Sequence, residues 1–268
     1  MSDAAPPGHP RFAGRVAFVT GAGRGIGAAV ARTLYAQGAS VAATDVDGAA
    51  VEGLAKRMAD TGAPGRFLPA ALDVTDPDAV RAVAAEVTGA LGPVDVLVNV
   101  AGVLHTGPAA DVGDADWARL FAVNAAGVFH TAREIVPSMA ARGRGSVVTV
   151  GSDAGGVPRA GMAAYAASKA AAAAFTKCLG LEYARWGVRC NVVAPGATDT
   201  AMQRSLWDGD TVPRRVLEGD PARYRVPIPL GRIADPQDVA ATVAFLASDE
   251  ARHVTMQEVY VDGGAGLR

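Results

Sequence analysis

Short, valine-rich apolar runs alternate with helix-length segments along almost the whole chain, and that alternation limits the fold more than any single motif. Residues 15–20, 40–44, 66–72, 94–98, 146–150, 189–194 and 258–261 read as strands, and 25–37, 48–61 and a stretch from 76 read as helices. The apolar runs are bounded by Gly, Pro or Asp and lack a polar alternate face, which is the pattern of strands buried on both sides. Such strands need helical crossovers, so an α/β fold with a doubly wound parallel sheet flanked by helices is expected.

The 268 residues, half of them hydrophobic, suffice for one large α/β domain. No composition break or internal repeat divides them, so a single domain is expected over 11–268, preceded by a flexible arm at 1–10. That arm lacks the basic and apolar regions of a secretory signal, and no apolar run reaches the ~18 residues of a membrane span. A net charge of −2 calls for neither nucleic acid nor an anionic membrane surface as partner. Cys178 and Cys190 have no metal-ligand spacing, so no metal and no disulfide framework are expected, and they suit a reducing cytoplasm. One irregular stretch, 202–230, carries prolines, charges, Trp207 and Tyr224, and a loop of that length reads as functional.

The first strand runs into Thr20-Gly-Ala-Gly-Arg-Gly-Ile-Gly27. Glycines there let backbone N–H groups approach a pyrophosphate at a helix N-terminus, where the dipole favours anions. One register takes Gly23, Gly25 and Ala28; the other takes Gly21, Gly25 and Gly27, and it is preferred because the turn then begins as the strand ends. Gly21, Arg24, Gly25, Ile26 and Gly27 are the contacts expected of a Rossmann-type dinucleotide site. The second strand ends at Asp45-Val46, where a carboxylate accepts from the adenosine ribose hydroxyls and repels a 2′-phosphate; this favours NAD over NADP. Arg24 is a counter-signal, because it could pair with that phosphate. Asp73-Val74, and Asn99 with Ala101 and Gly102, lie at the ends of the third and fourth strands, where open α/β sheets bind ligands, although each also fits ordinary turn chemistry.

Tyr165-Ala-Ala-Ser-Lys169 falls in an alanine-rich helix, and residues four apart share a face. A lysine ammonium close to a phenol favours the phenolate, and a tyrosine with an ordinary pKa near 10 needs that help to act as a base. The alternative is a packed tyrosine beside a solvated lysine, which many helices carry. Ser152 follows the strand at 146–150 and can hydrogen-bond a substrate oxygen and its developing charge. Asn124 interrupts an apolar helix, either as a satisfied buried amide or as a group that holds a relay water.

In order and spacing, Thr20 to Gly27, Asp73, Asn99 to Gly102, Asn124, Ser152, Tyr165/Lys169 and Pro195-Gly196 resemble the short-chain dehydrogenase/reductase family along nearly the whole chain; Ser152 stands 13 positions before Tyr165, as in that family. The resemblance implies Tyr165 as acid/base, Lys169 as its tuner and a nicotinamide-ribose ligand, Ser152 as substrate orienter, and Asn124 in the relay. It also implies that Pro195, Gly196, Thr198 and Thr200 flank the nicotinamide, and that the enzyme is a homotetramer. Val100 departs from the Asn or Ala often found at its position. Small residues Ala167, Ala170, Ala171 and Ala174 would allow close helix approach at a subunit interface; the alternative is a helix buried within its own subunit.

From about residue 97 onward, Ser152 to Met162, Gly187 to Trp207 and Ile228 to Pro236 resemble the branch of the family that oxidises 2,3-dihydro-2,3-dihydroxybenzoate in catechol siderophore biosynthesis. An anionic dihydroaryl acid needs a cation, for which Arg159 is the first candidate, with Met202 and Gln203 as wall and polar contact. Residues 202–230 would then close over the substrate as a lid. A trans-2,3-dihydro-3-hydroxyanthranilate dehydrogenase, another short-chain alcohol dehydrogenase and a non-catalytic NAD(H)-binding regulator are the competing readings.

Overall fold

Residues 10–267, except Asp208 and Asp210, are described by a computed structural model. The expected arm at 1–10 therefore lies, but for Pro10, outside the described residues. Seven strands run β1 (Val16–Thr20), β2 (Ser40–Asp45), β3 (Phe67–Ala71), β4 (Val96–Asn99), β5 (Gly145–Val150), β6 (Val188–Pro195) and β7 (Glu258–Val261). They form one sheet in the order β3-β2-β1-β4-β5-β6-β7, parallel at every pairing. Every residue of β1 and β4 is buried, as the runs without polar alternation require. Pro69 lies in β3, an edge strand, where its missing N–H leaves no central ladder bond unmade.

The crossovers are α1 (Gly25–Ala36), α2 (Gly48–Ala59), α3 (Pro77–Leu91), α4 (Asp114–Phe121), α5 (Gly127–Ala141) and α6 (Ala163–Tyr183). Two short helices, α7 (Ala201–Arg204) and α8 (Arg214–Leu217), precede α9 (Pro236–Ala247). Their starts obey local chemistry: the side chains of Asp47, Asp76 and Asp235 cap α2, α3 and α9, the last as a reciprocal capping box with Asp238. One core joins α1, α2 and α9 to one face of the sheet through Val30, Leu34, Leu54 and Leu246. The other face is covered by α3, α5 and α6 through Val80, Val87, Ile135, Met139 and Leu179.

Two features are invisible to period counting. Between α4 and α5 the helix opens into a π-helical turn, Ala122–Ala126, with Asn124 inside it. The irregular stretch 202–230 packs against its flanks and the C-terminal segment: Val216 and Ile228 are buried with Ala265, and Ala197, Trp207, Val212, Leu217 and Ile233 pack around them.

Strand order reverses between β1 and β4: the chain leaves β1 toward β2 and β3, and β4 starts the run to the other edge. The two carboxyl ends therefore open a crevice there. Thr20 holds that crevice in shape. Its buried hydroxyl accepts from the N–H groups of Val100 (3.0 Å) and Ala101 (3.1 Å), tying the end of β1 to the loop after β4. Thr20→Val keeps the shape and strips the acceptor from two backbone donors. We expect a loss of about 1–3 kcal/mol in urea unfolding, with weaker NADH binding by fluorescence titration; an unchanged midpoint would refute this role.

Candidate active site

A cleft of about 1680 Å³ follows the carboxyl edge of the sheet. Gly21, Arg24, Gly25, Ile26, Gly27, Asp45, Val46, Asp73, Val74, Ala101 and Gly102 line it. Ser152, Tyr165, Lys169, Pro195, Gly196, Thr198 and Thr200 line the same cleft, as do Arg159, Met202 and Gln203. Of the candidate residues, only Asn99 and Asn124 do not line it.

The turn after β1 is tightly packed, at Gly23 of one register, where a Cβ would stand 2.9 Å from Asp45 Oδ2, as well as at Gly21 and Gly27 of the other. Gly21 has φ 64°, and a Cβ there would stand 2.7 Å from the Ala101 backbone; a Cβ on Gly27 would stand 2.0 Å from the Gly21 carbonyl oxygen. Both positions exclude a side chain, so the backbone at the start of α1 comes as close to the crevice as a phosphate requires. Asp45 accepts from the N–H groups of Gly23 (2.9 Å) and Asp47 (3.0 Å), which fixes its buried carboxylate against the turn. A carboxylate offers about four acceptor sites, so capacity for ribose hydroxyls is left over. Arg24 is exposed at the N-cap of α1. Asp73 spends one oxygen on the N–H and hydroxyl of Thr75, the turn chemistry that its sequence context allowed. Asn99 is buried, and its Oδ1 accepts from the Thr131 hydroxyl at 2.7 Å. It fastens β4 to α5, does not line the cleft, and keeps its Nδ2 buried without a partner.

The solvated-lysine alternative fails. Lys169 is 6% exposed, and its Nζ donates to the Val150 carbonyl at the end of β5 (3.0 Å). Burial pulls its pKa from the usual 10.5 to about 8. Burial also pushes Tyr165 from 10.0 up to about 12; a hydrogen bond to Ser152 lowers it and the nearby Asp153 charge raises it further. Sequence reasoning expects the lysine to lower this pKa. In the protein alone desolvation of the phenolate wins. Ser152 caps a short 3-10 turn by accepting from the Ala154 N–H (3.2 Å).

Asn124 is 1% exposed. Its Oδ1 accepts from the Val103 N–H (2.9 Å), and its Nδ2 donates to the Val103 carbonyl (2.9 Å) and the Ser168 hydroxyl (3.0 Å). It is a satisfied amide, as one of the two readings holds. The π turn aims it inward, a common use of such turns at functional sites. A Cβ on Gly102 would stand 3.3 Å from both Asn124 Oδ1 and Lys169 Nζ, so the amide and the ammonium approach the same glycine.

Sequence reasoning missed three partners. Arg159 Nη2 donates to Asp153 at 2.7 Å, and both side chains are largely buried. Arg215 and Arg225, far along the chain, line the same end of the cleft as Arg159. A basic residue in an irregular stretch gives no sequence signal for its target.

The family described as enoyl-(acyl carrier protein) reductase matches residues 21–266. The 2,3-dihydro-2,3-dihydroxybenzoate dehydrogenase of Bacillus subtilis (strain 168) is 47% identical over 254 residues, covering 95% of this chain and 97% of the relative. The enzyme of the same description from Escherichia coli (strain K12) is 41% identical over 256 residues, covering 96% and 98%. A solved structure described as the crystal structure of gox2181 superposes with a TM-score of 0.86 at 31% identity, covering 97% and 98%.

The shifted lysine makes stability depend on pH in a defined way. A lysine whose pKa is about 8 folded and 10.5 unfolded costs about 3 kcal/mol while charged in both states. That cost is full below pH 8 and fades as pH rises toward 10.5, because the folded state then holds fewer protons. The difference in melting temperature between wild type and Lys169→Met should therefore move in favour of wild type from pH 7.5 to about pH 10. A pH-independent difference would show that the lysine is not held in a desolvated site.

Proposed function

The chain belongs to the short-chain dehydrogenase/reductase family, and on that premise we propose that it oxidises a ring hydroxyl of a cyclohexadiene carboxylate to give an aromatic product. The substrate is 2,3-dihydro-2,3-dihydroxybenzoate, the product 2,3-dihydroxybenzoate and the cofactor NAD. The observation that carries the chemistry is the buried Tyr165 beside Ser152 and Lys169, in one cleft with the glycine turn. The bare turn and the Asp45 carboxylate fit a nicotinamide dinucleotide without a 2′-phosphate. Such a cofactor supplies the acceptor for the carbinol hydrogen and its electron pair.

The protein's residues supply the rest. Ser152 hydrogen-bonds the substrate oxygen and holds the hydroxyl toward Tyr165. As phenolate, Tyr165 accepts the hydroxyl proton, and the oxygen's electron pair forms the ketone as the carbon loses its hydrogen. Lys169 carries the nearest positive charge on α6 and stabilises that phenolate more strongly in this dry site than it would in water. Asn124 fixes the loop at Val103, and its place in the proton relay is through that loop. The ketone then tautomerises to a catechol, and aromaticity draws the reaction forward.

At the far end of the cleft, Arg159 opens a cationic wall for the carboxylate, with Met202 and Gln203 beside it. The stretch 202–230, from which Met202, Gln203, Trp207 and Arg225 line the cleft, acts as a lid over the substrate. The free cysteines support a cytoplasmic enzyme; among the described residues no helix is long and apolar enough to cross a membrane. Ala167, Ala170 and Ala171 are half-buried and Ala174 is exposed on α6, near an exposed Phe129 on α5, which supports helix pairing in a homotetramer.

NADH formation should follow addition of the dihydrodiol acid, with 2,3-dihydroxybenzoate as the product by chromatography. Tyr165→Phe should lower the rate about a hundredfold or more while retaining NADH binding; full activity in that variant would refute the assigned base. Faster turnover of trans-2,3-dihydro-3-hydroxyanthranilate would move the substrate assignment to the amine analogue. Replacing Asp45 by Ala removes the carboxylate that repels a 2′-phosphate. The ratio of kcat/KM for NAD to that for NADP should then fall about tenfold or more, and an unchanged ratio would place cofactor choice elsewhere.

A further inference from the structure

The cation that sequence reasoning selects for the substrate carboxylate is already engaged. Arg159 donates to Asp153 at 2.7 Å, so much of its charge is neutralised where it faces the cleft. A substrate carboxylate placed there would also meet the Asp153 charge. The cleft has a second arginine that the Asp153 and Asp220 charges reach but that, among the described residues, no carboxylate ion-pairs. Arg225 lines it from the lid, and its Nε is buried without a hydrogen-bond partner. A buried guanidinium N–H left unmade is costly and calls for an acceptor.

The surroundings narrow what that acceptor is. Arg159, Arg215, Arg223 and Arg225 line the cleft, against the carboxylates of Asp153 and Asp220 close by. Asp220 is 3.8 Å from Arg223, and Asp153 belongs to Arg159, so positive charge remains in excess around Arg225. Burial first, then the neighbouring Arg159, lowers the Arg225 pKa, while the guanidinium stays charged. Its position is fixed by backbone. The N–H groups of Asp220 and Arg225 each bond the other's carbonyl (2.8 and 3.0 Å), and Tyr224 makes the turn at φ 52°. Trp207, also on the lid and also lining the cleft, keeps a second buried donor, Nε1, without a partner. Asp153 acts electrostatically on both Tyr165 and Arg225, so the cationic end adjoins the proton-transfer end.

We infer that Arg225 is the residue that holds the carboxylate of the substrate, and that Arg159, fastened by Asp153, backs it from the opposite wall. The inference rests on the substrate class proposed above. It makes the lid specific for acids: the group that closes over the ring carries the charge that recognises it.

The test compares the ring acid with its neutral carboxamide in steady-state kinetics of the full chain with NAD. Arg225→Met should raise KM for the acid about 10- to 100-fold, with a much smaller change in kcat, and should erase the preference for acid over amide. Arg225→Lys should recover part of that preference by restoring a charge without the fork. Arg214→Met removes a cation from the same stretch that is paired with Glu218 and lies outside the cleft lining, and it should behave as wild type. Wild-type turnover of the acid with an unchanged acid-to-amide ratio in Arg225→Met overturns the inference alone. So does a ratio that collapses only in Arg159→Met. Wild-type protein that oxidises neither compound overturns the substrate reading, and the inference falls with it.

Discussion

Running all seven strands parallel is the constraint on which the rest depends. It places every strand's carboxyl end on one edge, and the reversal of order between β1 and β4 opens that edge into a crevice. Residues far apart in sequence thereby become neighbours without any further design: the turn after β1, Asp45 after β2, the loop after β4, Ser152 after β5 and Pro195 at the end of β6 all border the same cleft. The hydroxyl of Thr20 and the carboxylate of Asp45 then stitch adjacent strand ends to one another, so the part of the cleft around the glycine turn is formed by the protein's own hydrogen bonds.

A second tension is built on that frame. Burying a phenol and an ammonium together costs free energy, and both shifts are dominated by desolvation. The ammonium is tolerated because it donates to the Val150 carbonyl at a strand end, and the helix carrying it is anchored by Ser168, whose hydroxyl accepts from Asn124. The free site therefore stores a mismatch: the base is held protonated and the cation is held weakly. A positive nicotinamide ring beside Tyr165 would favour its phenolate, which would couple proton transfer to the filled site.

Much of this is legible in the sequence, for a physical reason. Strand ends, glycine turns and a residue pair four apart on one helix are local patterns, and local patterns survive in a linear string. Gly21, Gly27, Tyr165 and Lys169 can be read because each is constrained by its immediate neighbours. The π turn at Ala122–Ala126 cannot, because one extra residue in a helical turn leaves the apolar period nearly unchanged. Asn99 reads as a cleft residue from its place at a strand end, yet it turns to Thr131, since only packing decides which way an amide at that position faces. Arg159 reads as free because its partner, Asp153, lies on a loop whose fold the string does not reveal.

The arginine end shows why charge is harder to read than shape. An arginine's availability depends on every carboxylate within a Debye length of it, about 8–10 Å, and those neighbours come from unrelated parts of the chain. Arg159 and Arg225 are equally basic in the string, yet one is matched by Asp153 and the other is left with an unpaired buried N–H. The same asymmetry serves the chemistry. Asp153 is close enough to raise the Tyr165 pKa, so a cation that neutralises it also protects the base. On the inference drawn for Arg225, a division of labour follows: Arg159 quiets the carboxylate beside the tyrosine, and Arg225 keeps its charge for the ligand.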